Sequence, residues 1–233
     1  MTFSDLKPII IAIDGFSSSG KSSMAKALAR KIGYRYVDTG AMYRAVTYYA
    51  MSAGLIAPDG TVNEAQLIAA LPGLDIDFKV MSDGQHTTLN GADIENAIRS
   101  LEVSAHVSTI AAIPAVRHEL VKRQQSYGIS KGIVMDGRDI GTTVFPQADL
   151  KIYVNAPAEV RAQRRYKELI DKGVETTYEE VLENVRHRDY IDSTRSESPL
   201  RRADDAIDLD NGHMTIDEQN EWLIEHYKRV ASR

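Results

Sequence analysis

The chain has 233 residues, 43% of them hydrophobic and 26% charged, with a formal net charge of -5 at neutral pH. This is enough apolar material for a packed α/β domain with smaller insertions, and the acidic balance argues against a nonspecific nucleic-acid binder. There is no cysteine, which excludes disulfides, thiolate nucleophiles and cysteine-based zinc sites; the polar start at 1–7 and the short apolar run at 9–13 fit neither a signal peptide nor a spanning helix, so a cytoplasmic protein with no membrane partner is expected.

The β-branched run 9–14 predicts a strand, and it leads straight into Gly15-Phe16-Ser17-Ser18-Ser19-Gly20-Lys21-Ser22. This is a G-x-x-x-x-G-K-S phosphate loop, whose glycines let successive backbone N–H groups turn inward on phosphate oxygens. Lys21 then reaches the terminal phosphates of a nucleoside triphosphate, and Ser22 the magnesium ion. Met24, Ala27, Leu28 and Ile32 recur at helical spacing after the loop. A second strand over 34–38 ends on Asp38, and Thr39-Gly40-Ala41-Met42-Tyr43-Arg44 opens a helix that stops near Gly54. The pattern changes at 58–100, which reads as an inserted short helix near 63–71 and a small antiparallel sheet at 74–81 and 85–90, with Asn90-Gly91 as its turn. Helical spacing resumes over 101–127, split by Pro114 as a first-turn residue. Strands follow at 132–136, 150–155 and 206–210. Between the last two lie helices over 157–172 and 178–192, the second opened by the capping box Thr177/Glu180; Thr215/Glu218 opens the final helix. Alternating strands and helices predict an α/β fold: a five-stranded parallel sheet flanked by helices, with ligand loops at the carboxyl ends of its strands.

A phosphate loop alone is shared by GTPases, mechanical ATPases, nucleotide switches and small kinases. No Asn-Lys-x-Asp guanine-reading segment occurs, and Asp136 is followed by Gly137 rather than by the Glu of many hydrolytic ATPases. A phosphoryl-transfer enzyme needs cations converging on two oxyanions, and three arginine-bearing loop segments supply them: 38–44, Asp136-Gly137-Arg138-Asp139, and 188–195. Each residue also has a plainer reading. Taken alone, Thr39 reads equally as a helix N-cap, Asp136 and Asp139 as partners of local N–H groups or arginines, and Ser108 as a packed helix hydroxyl. Arg161, Arg164 and Arg165 read by default as a solvated face.

The order of these motifs resembles the cytidylate kinases of the nucleoside monophosphate kinase group. It extends over essentially the whole chain, and Asp136-Gly137-Arg138-Asp139-Ile140-Gly141 is its most discriminating segment. The resemblance implies a P-loop nucleoside monophosphate kinase fold, with a core at 1–57 and 101–233, an acceptor-side insertion at 58–100 and a helical lid at 157–195. It implies transfer of the γ-phosphoryl group of ATP to CMP or dCMP, with Mg2+ and no nucleic-acid partner, by a monomer. Lys21, Arg138, Asp139 and Arg188 form the implied catalytic set. ATP falls to the loop from Gly15 to Ser22, to Ser23, and to Arg161 and Arg165. The acceptor falls to Thr39, Arg44, Ser108, Arg117, Arg138, Asp139, Arg188, Asp192 and Arg195, with Ser108 and Arg117 at the cytosine. Phe16 departs from the proline common in the family, and Ser17-Ser18-Ser19 makes the loop poorer in glycine.

Overall fold

A computed structural model describes residue 3 and residues 6–232; most of the polar start at 1–7 thus lies outside the described residues. In chain order the elements are β1 (Ile10–Gly15), α1 (Lys21–Ile32), β2 (Arg35–Asp38), α2 (Thr39–Ser52), α3 (Glu64–Ala70), β3 (Ile76–Met81), β4 (Gly84–Leu89), β5 (Ala92–Asp93), α4 (Leu101–Ala112), α5 (Pro114–Tyr127), β6 (Ile133–Gly137), β7 (Leu150–Asn155), α6 (Ala158–Asp171), α7 (Tyr178–Thr194), β8 (Ile207–Asp210) and α8 (Ile216–Ala231). The chain divides into two compact units, one formed by 1–37 with 125–233 and the other by 38–124.

The first unit is built on a five-stranded parallel sheet in the order β2-β6-β1-β7-β8. β1 pairs in parallel with β6 on one side, Ile10 opposite Ile133, and with β7 on the other, Ile11 opposite Leu150. All of β6 is buried, as expected of a strand covered on both faces. Ile11, Ile13, Val134, Ile152 and Val154 pack with Met24, Leu28 and Ile32 of α1 and with Leu223 and Tyr227 of α8. Because strand order reverses around β1, its carboxyl end is the topological switch point, where ligands bind in open α/β sheets. That end carries the phosphate loop. The lid helices α6 and α7 have their own small core of Ala162, Leu169, Val181 and Val185. Both expected capping boxes are present, at Thr177/Glu180 and Thr215/Glu218.

In the second unit α2 packs on α4, and the expected short helix and antiparallel sheet are α3 and β3-β4-β5. Asn90 and Gly91 have φ of 50° and 81°, the two left-handed residues of a tight hairpin turn.

Candidate active site

The phosphate loop requires glycine at both ends for different reasons. Gly15 has φ +154°, and a Cβ there would sit 2.3 Å from the Val154 carbonyl oxygen of β7. Gly20, at φ 88°, is the N-cap of α1 and offers no side-chain cap, so the first-turn N–H groups face the loop for an anion to satisfy. Lys21 is buried and its Nζ donates to the Phe16 carbonyl at 2.9 Å. Two further loop carbonyls are held from outside: Ser17 O by Arg161 (3.2 Å), and Ser19 O by Asn211 Nδ2 (2.6 Å) and Arg164 (3.4 Å).

The carboxylates at the strand ends are arranged around this loop. Ser22 Oγ donates to Asp136 Oδ2 at 2.7 Å, and Tyr36 donates to the other oxygen at 2.8 Å. A hydroxyl beside a carboxylate is a hard oxygen donor set of the kind magnesium takes. Asp14, at the end of β1, accepts the N–H groups of Ile140 and Gly141 at 2.8 and 2.7 Å. It thereby anchors the single π turn over Ile140–Val144 that continues from Arg138-Asp139. The sequence pattern did not foresee this turn, because five-residue hydrogen-bonded rings leave no periodic signature.

Burial pushes the Asp14 carboxyl up to about 7, against the opposing pull of those two N–H bonds; Asp139 adds to the rise and Lys21 works against it. An aspartate raised in the fold keeps a proton that the unfolded chain releases near about pH 4. Stability from this group is therefore greatest in acid, declines as pH rises, and is fully lost above about 7. Asp14→Asn removes the titration. The stability advantage of the unsubstituted protein over the variant, from urea unfolding at about pH 5 and about pH 8, should shrink by roughly 2–3 kcal/mol. An advantage that does not change with pH would assign the titration to another group.

The lid brings several expected residues together. Arg138 Nε donates to Asp192 Oδ2 at 2.8 Å, and Arg195 lies 3.7 Å from the other oxygen. Burial alone raises the Asp192 carboxyl, but Arg138, Arg188 and Arg195 hold it below the ordinary carboxylate range. Asp139 is buried at the start of the π turn, whose first bonds run to its carbonyl. The solvated-face reading of α6 fails at Arg161, which is only 3% exposed and forms a two-pronged pair with Asp189 at 2.9 and 2.6 Å. Arg165 lies on Glu168 of its own helix at 2.9 Å. Arg164 and, through Arg161, Asp189 were not expected to brace the phosphate loop; with Asn211 they come from three separate segments, and no spacing rule joins them to it.

In the second unit, Asp38 rather than Thr39 caps α2, accepting from Ala41 N at 2.8 Å. This removes the N-cap reading of Thr39, which is the buried first residue of the helix. Asp38 also takes Arg44 at 2.9 Å and Arg99 at 3.0 Å; burial opposes its charge, yet the two guanidinium groups hold it far below the usual carboxylate range. Ser108 on α4 and Arg117 on α5 are both buried. Arg117 donates to the Ala111 carbonyl at 3.1 Å and stacks over the Tyr43 ring at 5.2 Å.

No helix among the described residues is long and apolar enough to cross a membrane. Comparison with known proteins agrees with the motif order. A family model described as cytidylate kinase matches residues 11–229. A cytidylate kinase of Phocaeicola vulgatus is 59% identical over 229 residues, covering 97% of this chain and all of the relative. One of Parabacteroides distasonis is 56% identical over 227 residues, covering 97% and 99%. Among solved structures, an uncharacterized protein from Eubacterium ventriosum aligns with a TM-score of 0.51 at 11% identity over 97% of this chain and all of that one, a likeness of fold alone. A match of this identity over nearly the whole chain, on the sheet, phosphate loop and arginine-bearing segments described above, two of which the structure places in α2 and α7 rather than in loops, means that the chain belongs to the cytidylate kinase family.

Proposed function

We infer that this protein is an ATP-dependent kinase that moves the γ-phosphoryl group of ATP to CMP or dCMP, giving ADP and CDP or dCDP. The observation that carries this reading is the phosphate loop at the carboxyl end of β1, with Ser22 bonded to Asp136, in a chain of the cytidylate kinase family. The attacking atom is an acceptor phosphate oxygen, already ionised near neutrality. No covalent intermediate and no strong general base are required, and the transfer is direct and in line. The backbone from Gly15 to Ser23 and the Lys21 ammonium hold the donor phosphates, served from α6 by Arg161 and Arg165. Magnesium, arriving with ATP, would be held by Ser22 with Asp136 beside it, and it supplies charge neutralisation across the phosphates.

On the acceptor side, Thr39, Arg44 and Arg138 take the monophosphate, a dianion suited to guanidinium forks. Ser108 and Arg117 read the cytosine. Asp192, Arg188 and Arg195 serve the sugar and phosphate, and Asp139 orients the network. The insertion at 58–100 belongs to the acceptor side, and α6 with α7 is the lid that excludes water from the transferring group. The enzyme works as a cytoplasmic monomer without a nucleic-acid partner.

The deciding experiment is an acceptor panel, reading ADP release with ATP and magnesium present. CMP and dCMP are expected to be used in strong preference to UMP and AMP. Arg117→Met should raise KM for CMP by about tenfold or more, because a site built to bond a polar edge leaves that edge unpaired when the donor is lost. Equal rates with all four acceptors would remove the cytosine assignment, and ADP release independent of every acceptor would remove the kinase assignment.

A further inference from the structure

Phe16 follows the first glycine of the phosphate loop, and its surroundings give it a task. Its ring lies under the Arg161 guanidinium, 5.1 Å from centroid to Cζ. Arg161 is buried, and its Nε donates to the Ala156 carbonyl at 2.8 Å, fixing the base of the fork. The two prongs lie on Asp189 of α7, and one of them also donates to Ser17 O at 3.2 Å. Every N–H of the fork but one is thus engaged inside the protein.

We propose that Phe16 and Arg161 are positioning residues for the phosphate loop: the ring seats the guanidinium, and the guanidinium holds the Ser17 carbonyl so that the Ser18 N–H turns to the donor phosphates. This rests on the reading that the loop holds the donor nucleotide. Two features of the backbone support it. In a planar trans peptide the C=O and the following N–H point in opposite directions, so tying Ser17 O to Arg161 sends the Ser18 N–H to the other side of the chain. Ser18 itself has φ 58°, a left-handed conformation that a residue with a Cβ keeps only when its surroundings hold it. Asn211 and Arg164 tie the Ser19 carbonyl in the same manner, orienting the Gly20 N–H. A serine at positive φ lacks the freedom glycine has there and needs outside contacts to hold it, and here side chains from α6 and from the loop after β8 brace the loop. The acidic partner Asp189 neutralises Arg161 and keeps it on the loop rather than on bulk anions.

The test uses Phe16→Leu, which keeps apolar bulk and removes the π face, Arg161→Lys, which keeps charge and removes the fork, and the double variant. ADP affinity is measured by titration calorimetry without acceptor, beside KM for ATP, KM for CMP and the melting temperature. Each single change should weaken ADP binding and raise KM for ATP about threefold to tenfold, with KM for CMP within about twofold. The double variant should be no weaker than Arg161→Lys alone, because Phe16 acts through Arg161. Unchanged ADP affinity overturns the proposal, as do equal rises in both KM values or effects that multiply in the double variant. A fall in kcat and melting temperature at constant ADP affinity, the mark of a merely structural role, overturns it too. Failure of the unsubstituted protein to bind ADP would sink the donor-site reading and this proposal with it. Failure of the acceptor panel with the ADP shifts intact would remove only the cytidylate reading.

Discussion

Lys21→Met is expected to lower kcat for CMP phosphorylation by about a hundredfold to a thousandfold, the usual loss when one preorganised donor is taken from a site of developing charge. Lys21 is buried at the foot of α1, and its Nζ lies 2.9 Å from the Phe16 carbonyl inside the loop. The ammonium is therefore already drawn into the loop, and in the proposed donor site a phosphate oxygen would replace a carbonyl as its partner with little movement of the stem. Methionine keeps the length and apolar body of the side chain, so the melting temperature should change by only a few degrees. KM for ATP should rise much less than kcat falls, since the charge on the transferring group is greatest in the transition state. Steady-state ADP release with ATP varied at saturating CMP separates the two. A variant whose kcat stays within a few-fold of the parent would remove Lys21 from the transferring group.

The frame of the molecule was legible because its signals are local. A buried parallel strand is written as a continuous apolar run, and 9–14, 132–136 and 150–155 could hardly be anything else. The capping boxes, Pro114 and Asn90-Gly91 announce helix starts and a turn through chemistry confined to a few residues. The phosphate loop is equally local. What the sequence did not show is held by contacts across long separations. Asp14 reaches Ile140 and Gly141, Asn211 reaches Ser19, and Arg161 reaches both Ser17 and Asp189. The π turn after Asp139 is hidden for a different reason, since its ring size has no side-chain repeat. Phe16 illustrates the limit most clearly. Read in sequence it is only a departure from a pattern, and its role depends on a guanidinium carried by a helix far along the chain.

Arg138→Ala should lower kcat for CMP by about a hundredfold or more while sparing the fold. Arg138 follows β6 directly and is tied to α7 through Asp192 at 2.8 Å, so its direction is set before any substrate arrives. Removing one partner of a buried pair is usually costly because the other charge is stranded. Here Asp192 keeps Arg188 and Arg195 as neighbouring cations, and the loss of stability should stay near about 1–2 kcal/mol. In the proposed acceptor site the catalytic loss is larger, because a phosphate dianion held by a planar fork would lose both paired bonds and a full charge. Arg138→Lys separates these contributions: it restores the charge without the fork, and should recover part of kcat while KM for CMP stays high. Coupled ADP-release kinetics at varied CMP, with urea unfolding of the same samples, measure both effects. Near-normal CMP turnover in the alanine variant would leave Arg138 as a strut between β6 and α7 and would assign the acceptor phosphate to other arginines.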